Sequence, residues 1–156
     1  VSHNHPEGIK GACAIASAIY LARKKKTKEE IKKYIEETFG YSFEPISSVR
    51  KWHTFDETCQ VTVPIAIQAF LEGKDFEDVL RTAIYAGGDS DTIACMACSI
   101  AETYYEIPDK FIEFCYPKIS PSMKIALKNI LLLVKKQNRL NGNLEKVLNL
   151  FEKENM

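Results

Sequence analysis

Apolar residues recur at three- and four-residue intervals along nearly all of this chain, and no stretch alternates apolar with polar long enough to make a useful strand. Ile9, Ala12, Cys13, Ala16, Ile19 and Tyr20 trace one helical face, the predicted core face of a first helix with Pro6 near its start, where the missing N–H costs little. Thr27-x-x-Glu30 reads as a capping box, and Gly40 marks the end of the helix it opens. Residues 41–58 are aromatic-rich and less regular, a loop with a short helix. Helices are predicted over 61–71, with Pro64 in the first turn, from Asp75-x-x-Asp78 to the glycine pair Gly87-Gly88, and over 91–105. Pro108 opens a short helix that ends before Pro117; residues 120–138 form a long amphipathic one. Asn141-Gly142-Asn143 reads as a turn, and residues 144–154 close the chain. The fold class is all-α, a helical bundle over 1–156 as a single domain.

The 156 residues are 46% hydrophobic, enough for a proper core, and their formal charge is +0. A nucleic-acid partner would normally need a basic face, so none is expected. The short basic runs 23–26 and 135–136 read as helix-end decoration, where cations favour the dipole. No stretch reaches the ~18 apolar residues needed to span a bilayer, so no membrane partner is expected. No signal-peptide pattern is visible at the start. The five cysteines, Cys13, Cys59, Cys95, Cys98 and Cys115, lie among apolar neighbours and are odd in number. They are expected reduced and buried, Cys95-x-x-Cys98 included, which fits a cytoplasmic protein.

Gly87-Gly88-Asp89-Ser90-Asp91-Thr92 packs two carboxylates and two hydroxyls behind two glycines, directly before the apolar run 93–101. Carboxylates this close repel each other and resist burial unless a cation lies between them. Hard oxygen donors at a helix mouth suit Mg²⁺ or Mn²⁺ better than zinc. Asp89, Asp91 and Thr92 are therefore the candidate metal ligands, and the two aspartates the candidate catalytic groups. A bland reading is compatible: Ser90 or Asp91 caps the helix, Asp89 favours its dipole, and the glycines end the helix before it. Glycines let a ligand approach backbone without a Cβ in the way, so Gly87 and Gly88 are substrate-binding candidates; Ser90, with its hydroxyl, is a third.

Two further places draw attention. His3, Asn4 and His5 begin the first helix, and His3 and His5 are candidates for binding a substrate oxygen; a solvated terminal tail is the alternative. Trp52-His53-Thr54-Phe55-Asp56 is locally aromatic, and packing in a core or lid is favoured there over stacking on a base. Gln60 reads as a helix-end residue.

Four ordered segments resemble the ADP-ribosylglycohydrolase family. They are His3-Asn4-His5-Pro6-Glu7 with the helix start behind it, and Cys59-Gln60-Val61-Thr62-Val63-Pro64 with Ala66 and Ala69-Phe70-Leu71. The others are Gly87-Gly88-Asp89-Ser90-Asp91-Thr92-Ile93-Ala94 and Ile100-Ala101-Glu102-Thr103-Tyr104-Tyr105. The resemblance covers roughly residues 2–116. It implies a compact orthogonal helical bundle around a metal-lined cleft. It also implies two Mg²⁺ (or Mn²⁺) ions held partly by the matching aspartates and threonine, with ADP-ribose positioned through its ribose hydroxyls. The implied reaction is hydrolysis of the N- or O-glycosidic bond joining ADP-ribose to a protein side chain; the implied partners are ADP-ribosylated protein or ADP-ribose.

The chain departs from the family in one large respect: the N-terminal half, with its T-D-D metal motif, has no counterpart, and no T-D-D occurs in the sequence. Read this way, the fold is truncated at its N-terminus, the isolated chain is impaired, and the missing ligands come from a separate chain or a homo-oligomer. A non-catalytic ADP-ribose-binding remnant and a helical interaction module are the alternatives.

Overall fold

The computed structural model describes residues 4–153, the side chains of 152 and 153 apart, and every regular element among them is helical. In order these are α1 (Pro6–Arg23), α2 (Lys28–Phe39), α3 (Ile46–Trp52), α4 (Cys59–Glu72), α5 (Phe76–Ala86), α6 (Ser90–Tyr104) and α7 (Asp109–Cys115). A 3₁₀ turn (Tyr116–Lys118), α8 (Pro121–Lys136) and α9 (Gly142–Lys153) complete the chain. The all-α expectation holds, with α3 as the short helix within the irregular stretch. The chain divides into two compact units, one running through Tyr105 and one starting at Glu106.

In the first unit α6 is the central element, packed on α5, α4 and α1. α2 lies on α1, and α3 lies on α5 and α4. Ile31, Ile35, Ile46, Ile67, Phe70, Val79, Ile93 and Ile100 are fully buried here. Each such side chain stabilises the fold by roughly 1.5–3 kcal/mol.

Local signals set the helix ends. Thr27 Oγ1 accepts from the Glu30 N–H at 3.2 Å and the Glu30 carboxylate accepts from the Thr27 N–H at 2.8 Å, the predicted capping box. Asp75 accepts from the Asp78 N–H at 2.8 Å, and Asp78 accepts in return from the Lys74 N–H at 3.0 Å. Arg23 lies in the last turn of α1, and Lys135 and Lys136 in that of α8, as charge and dipole require.

Three expectations change. The buried stripe of α1 is Gly11, Ala14, Ala18 and Ala22, while Ile9, Ala12, Cys13, Ala16 and Tyr20 are exposed. The helix is apolar on both sides, so periodicity alone could not pick the face; small residues won because they allow close approach. At Gly11 a Cβ would meet Val63 Cγ2 at 3.1 Å and Cys59 Cβ at 3.2 Å. Pro64 falls inside α4, which begins at Cys59, two residues earlier than expected. The cysteines are free, but Cys13, Cys95 and Cys115 are exposed and Cys59 and Cys98 only half-buried. A run of apolar neighbours along a helix does not bury every residue in it.

The second unit builds its own core from Tyr116, Leu131, Leu148 and Phe151, with Leu127, Leu144 and Val147 packed against them. Asn143 accepts from the Ile107 N–H at 2.8 Å. The Lys146 ammonium bridges Glu106 at 2.6 Å and Asp109 at 2.8 Å. No helix among the described residues is long and apolar enough to cross a membrane.

Candidate functional site

The glycine pair forms a sharp elbow between α5 and α6. Gly87 has φ 83° and ψ −159°, a conformation essentially closed to residues with a Cβ. Its N–H bonds the Ile84 carbonyl at 3.1 Å, ending α5. Gly88 is left-handed, with φ 65°. The Ser90 N–H then bonds the Gly88 carbonyl at 2.8 Å and the Ile93 N–H bonds the Asp89 carbonyl at 3.0 Å, which starts α6.

Asp89 occupies the N-cap position, one residue before α6, yet its side chain makes no capping bond. The predicted cap at Asp91 is not formed; Asp91 lies inside the first turn. The exposed Asp91 carboxyl is held below its usual range, first by the neighbouring Asp89 side chain and then by the backbone N–H groups of Asp91 and Thr92. Asp89 thus lacks the capping bond that would ordinarily explain an aspartate at this position. Thr92 is exposed in the same turn, and Ser90 is the first helical residue.

The loop after α3 backs the elbow. His53 is 6% exposed. Its Nδ1 lies 3.2 Å from the Ala86 carbonyl, so Nδ1 carries the proton and donates. A Cβ on Gly88 would lie 2.8 Å from both His53 Nε2 and the Thr54 carbonyl. A Cβ on Gly87 would lie 3.0 Å from a guanidinium nitrogen of Arg50. The Asp56 carboxyl beside this loop is held below its usual range by Thr58, whose N–H bonds it at 2.7 Å. In the aromatic stretch the packing reading fits His53 but neither Trp52 nor Phe55, which are exposed. Trp52 Nε1 donates to Glu44 at 3.1 Å.

The remaining candidates lie at the start of α1 or on α4. His5 caps α1, its Nδ1 accepting from the Glu7 N–H at 3.3 Å. His3 lies outside the described residues. Gln60 is exposed in the first turn of α4 and lines a cleft of about 190 Å³ with Ser42, Glu44, Trp52 and Pro64. The aspartate pair does not line that cleft.

Among the described residues no group of three or more His, Cys, Asp or Glu side chains converges into a metal cage. The donor chemistry that is present, two aspartates and a threonine within four residues at the start of α6, still suits a hard divalent cation. Sequence reading expected His53 to pack but missed that it packs on the elbow, and it missed Arg50 there altogether. No local signal could have found either: His53 and Ala86 are 33 residues apart.

The model of the ADP-ribosylglycohydrolase family matches residues 1–138. An uncharacterized protein of Archaeoglobus fulgidus is 40% identical over 52 residues, 33% of this chain and 17% of that relative. The chain thus spans about a sixth of that relative's length in the match. No solved structure matches. With the family model covering most of the sequence, the glycine elbow and its aspartate pair included, the chain belongs to the ADP-ribosylglycohydrolase family.

Proposed function

We propose that this chain serves the hydrolysis of the glycosidic bond between ADP-ribose and a protein side chain, or a related ADP-ribose conjugate. Family membership supports a glycoside-hydrolysing enzyme. The observation that carries the reading is the Gly87–Gly88 elbow, which sets Asp89 at the N-cap position of α6 without a capping bond and puts Asp91 and Thr92 in the exposed first turn. Two carboxylates two positions apart at one helix mouth offer a cation several negative oxygens at once.

In this reading Asp89, Asp91 and Thr92 hold Mg²⁺ or Mn²⁺, two ions in the complete site. The cation would polarise a substrate oxygen and orient a water. The chain's own contribution is charge and shape. The aspartates stabilise the oxocarbenium-like transition state of glycoside cleavage through their negative charge. Gly87 and Gly88 offer backbone without a Cβ, and Ser90 a hydroxyl, on the side where substrate lies. His5, with Nδ1 engaged by α1, keeps Nε2 for a substrate oxygen; His3 is proposed beside it. Five free cysteines, three of them exposed, suit a reducing compartment such as the cytoplasm.

A binding-only reading has its own support. Mg²⁺ asks for about six oxygen ligands, and two carboxylates with one hydroxyl leave half of them to water. Further donors would come from a T-D-D segment outside these 156 residues, or from Glu7, Asp56 or Glu57. Calorimetric titration of Mg²⁺ and then ADP-ribose, followed by assay of ADP-ribose release from modified protein, separates the readings. Weak Mg²⁺ binding that strengthens ADP-ribose binding is expected, with slow or no release. ADP-ribose binding indifferent to Mg²⁺ would sink the metal reading, and enzyme-like release would show the donor set to be complete.

A further inference from the structure

His53 is a buried polar side chain whose role the aspartates and glycines do not explain. One of its ring nitrogens is occupied: Nδ1 donates to the Ala86 carbonyl, at the end of α5 where helix carbonyls lose their intrahelical donors. The other, Nε2, is buried and has no hydrogen-bond partner. A purely apolar ring of similar size would fill the same space without leaving that nitrogen unpaired. The polar work of the imidazole is therefore concentrated on one carbonyl, and that carbonyl belongs to the Ala86–Gly87 peptide. Gly88 meets the same ring at its Cε1–Nε2 edge, where a Cβ would come within 2.8 Å of Nε2. The elbow is thus gripped twice, by a hydrogen bond before Gly87 and by contact at Gly88.

We infer that His53 is the positioning residue of the Gly87–Gly88 elbow, setting through the Ala86 carbonyl the direction in which Asp89 and Asp91 leave it. This inference rests on the metal reading above for its consequence, but its structural content stands apart from it. The ring is not a ligand. It acts as outer partners of metal sites do, by fixing the segment that carries the ligands. The geometry also says which nitrogen matters. Asparagine places an N–H near the Nδ1 position, glutamine places one near Nε2, and phenylalanine keeps the ring but donates nothing.

The test compares His53→Asn, His53→Gln and His53→Phe with wild type. Amide hydrogen exchange at Gly87, Gly88 and Ser90 is followed by NMR in metal-free protein, and Mn²⁺ binding by calorimetry. His53→Gln and His53→Phe should speed exchange at the elbow and weaken Mn²⁺ by about 10- to 100-fold. His53→Asn should stay near wild type in both. Protection of Ile67 and Phe70 amides, in the core of α4, reports global opening in the same spectra. If all three variants behave alike at the elbow, or if elbow and α4 amides speed up together, the inference is overturned and His53 is packing only. Should His53→Phe fail to fold, the His53→Asn and His53→Gln pair decides alone. Wild type that binds no Mn²⁺ would end the metal reading, while the exchange comparison would still judge His53.

Discussion

The imidazole of His53 and the backbone of Gly88 occupy adjoining space so fully that a methyl group on Gly88 would sit 2.8 Å from Nε2. Gly88 also has φ 65°. Sequence-distant packing and local backbone conformation thus impose the same residue independently.

Gly88→Ala meets both constraints. The left-handed conformation alone costs a residue with a Cβ about 1–2 kcal/mol, and displacing His53 adds to that. Thermal unfolding followed by circular dichroism should show a Tm lowered by at least several degrees. An unchanged Tm would mean that the loop carrying His53 yields freely.

Asp91→Asn replaces an anionic oxygen by an amide at the exposed mouth of α6. Folding stability should move little, within about 0.5 kcal/mol, as for most surface substitutions. Mg²⁺ affinity should fall by tenfold or more, because a neutral amide is a poor ligand for a hard cation. Calorimetry on both proteins checks the two statements; equal Mg²⁺ affinity would remove Asp91 from the ligand set.

Thr27→Ala breaks the capping box of α2 and should cost about 1 kcal/mol at neutral pH. Its pH dependence follows from Glu30, whose carboxyl is held below the usual value of 4.5, chiefly by Lys26 and then by the Thr27 backbone. A depressed folded value means that the carboxylate's contribution is present above the ordinary Glu range and lost as pH falls through the folded value. Glu30→Gln should therefore be less stable than wild type at pH 7, with the difference shrinking as pH drops below about 4. Urea melts at pH 7 and pH 3 check it, and a gap that widens in acid would contradict the box.

Cys98 lies half-buried on α6, and burial, with Cys95 nearby, pushes its thiol up to about 11. Little thiolate forms at pH 8, so iodoacetamide should label the exposed Cys13, Cys95 and Cys115 well before Cys98. Peptide mass spectrometry over a time course reads the order directly. Early labelling of Cys98 would show that α6 opens there.

The helices, the box at Thr27 and the cap at Asp75 were legible in the sequence because their causes are local. A capping side chain reaches only three residues along the chain, and 3.6-residue periodicity needs nothing beyond the helix itself. The motif Gly87 to Thr92 was legible for the same reason, since it brings its glycines, acids and hydroxyls together without help from elsewhere.

What tertiary structure alone decided is which of two apolar faces is buried and what stands behind the motif. On α1 the sequence offered Ile9, Cys13, Ala16 and Tyr20 as a face, but Gly11, Ala14, Ala18 and Ala22 went inward, because close approach of α4 at Gly11 leaves no room for larger side chains. At the elbow the spacing of Asp89 and Asp91 could not say whether either caps α6, and Asp89, at the N-cap position, makes no capping bond. The choice depends on where the carboxylates turn once Gly87 and Gly88 bend the chain. That bend is held by His53, 33 residues before Ala86 in the sequence and in hydrogen-bond contact with it only after α3 has packed on α5. Periodicity and capping are properties of a few consecutive residues; burial and the partner of a buried nitrogen are properties of neighbours that only folding supplies.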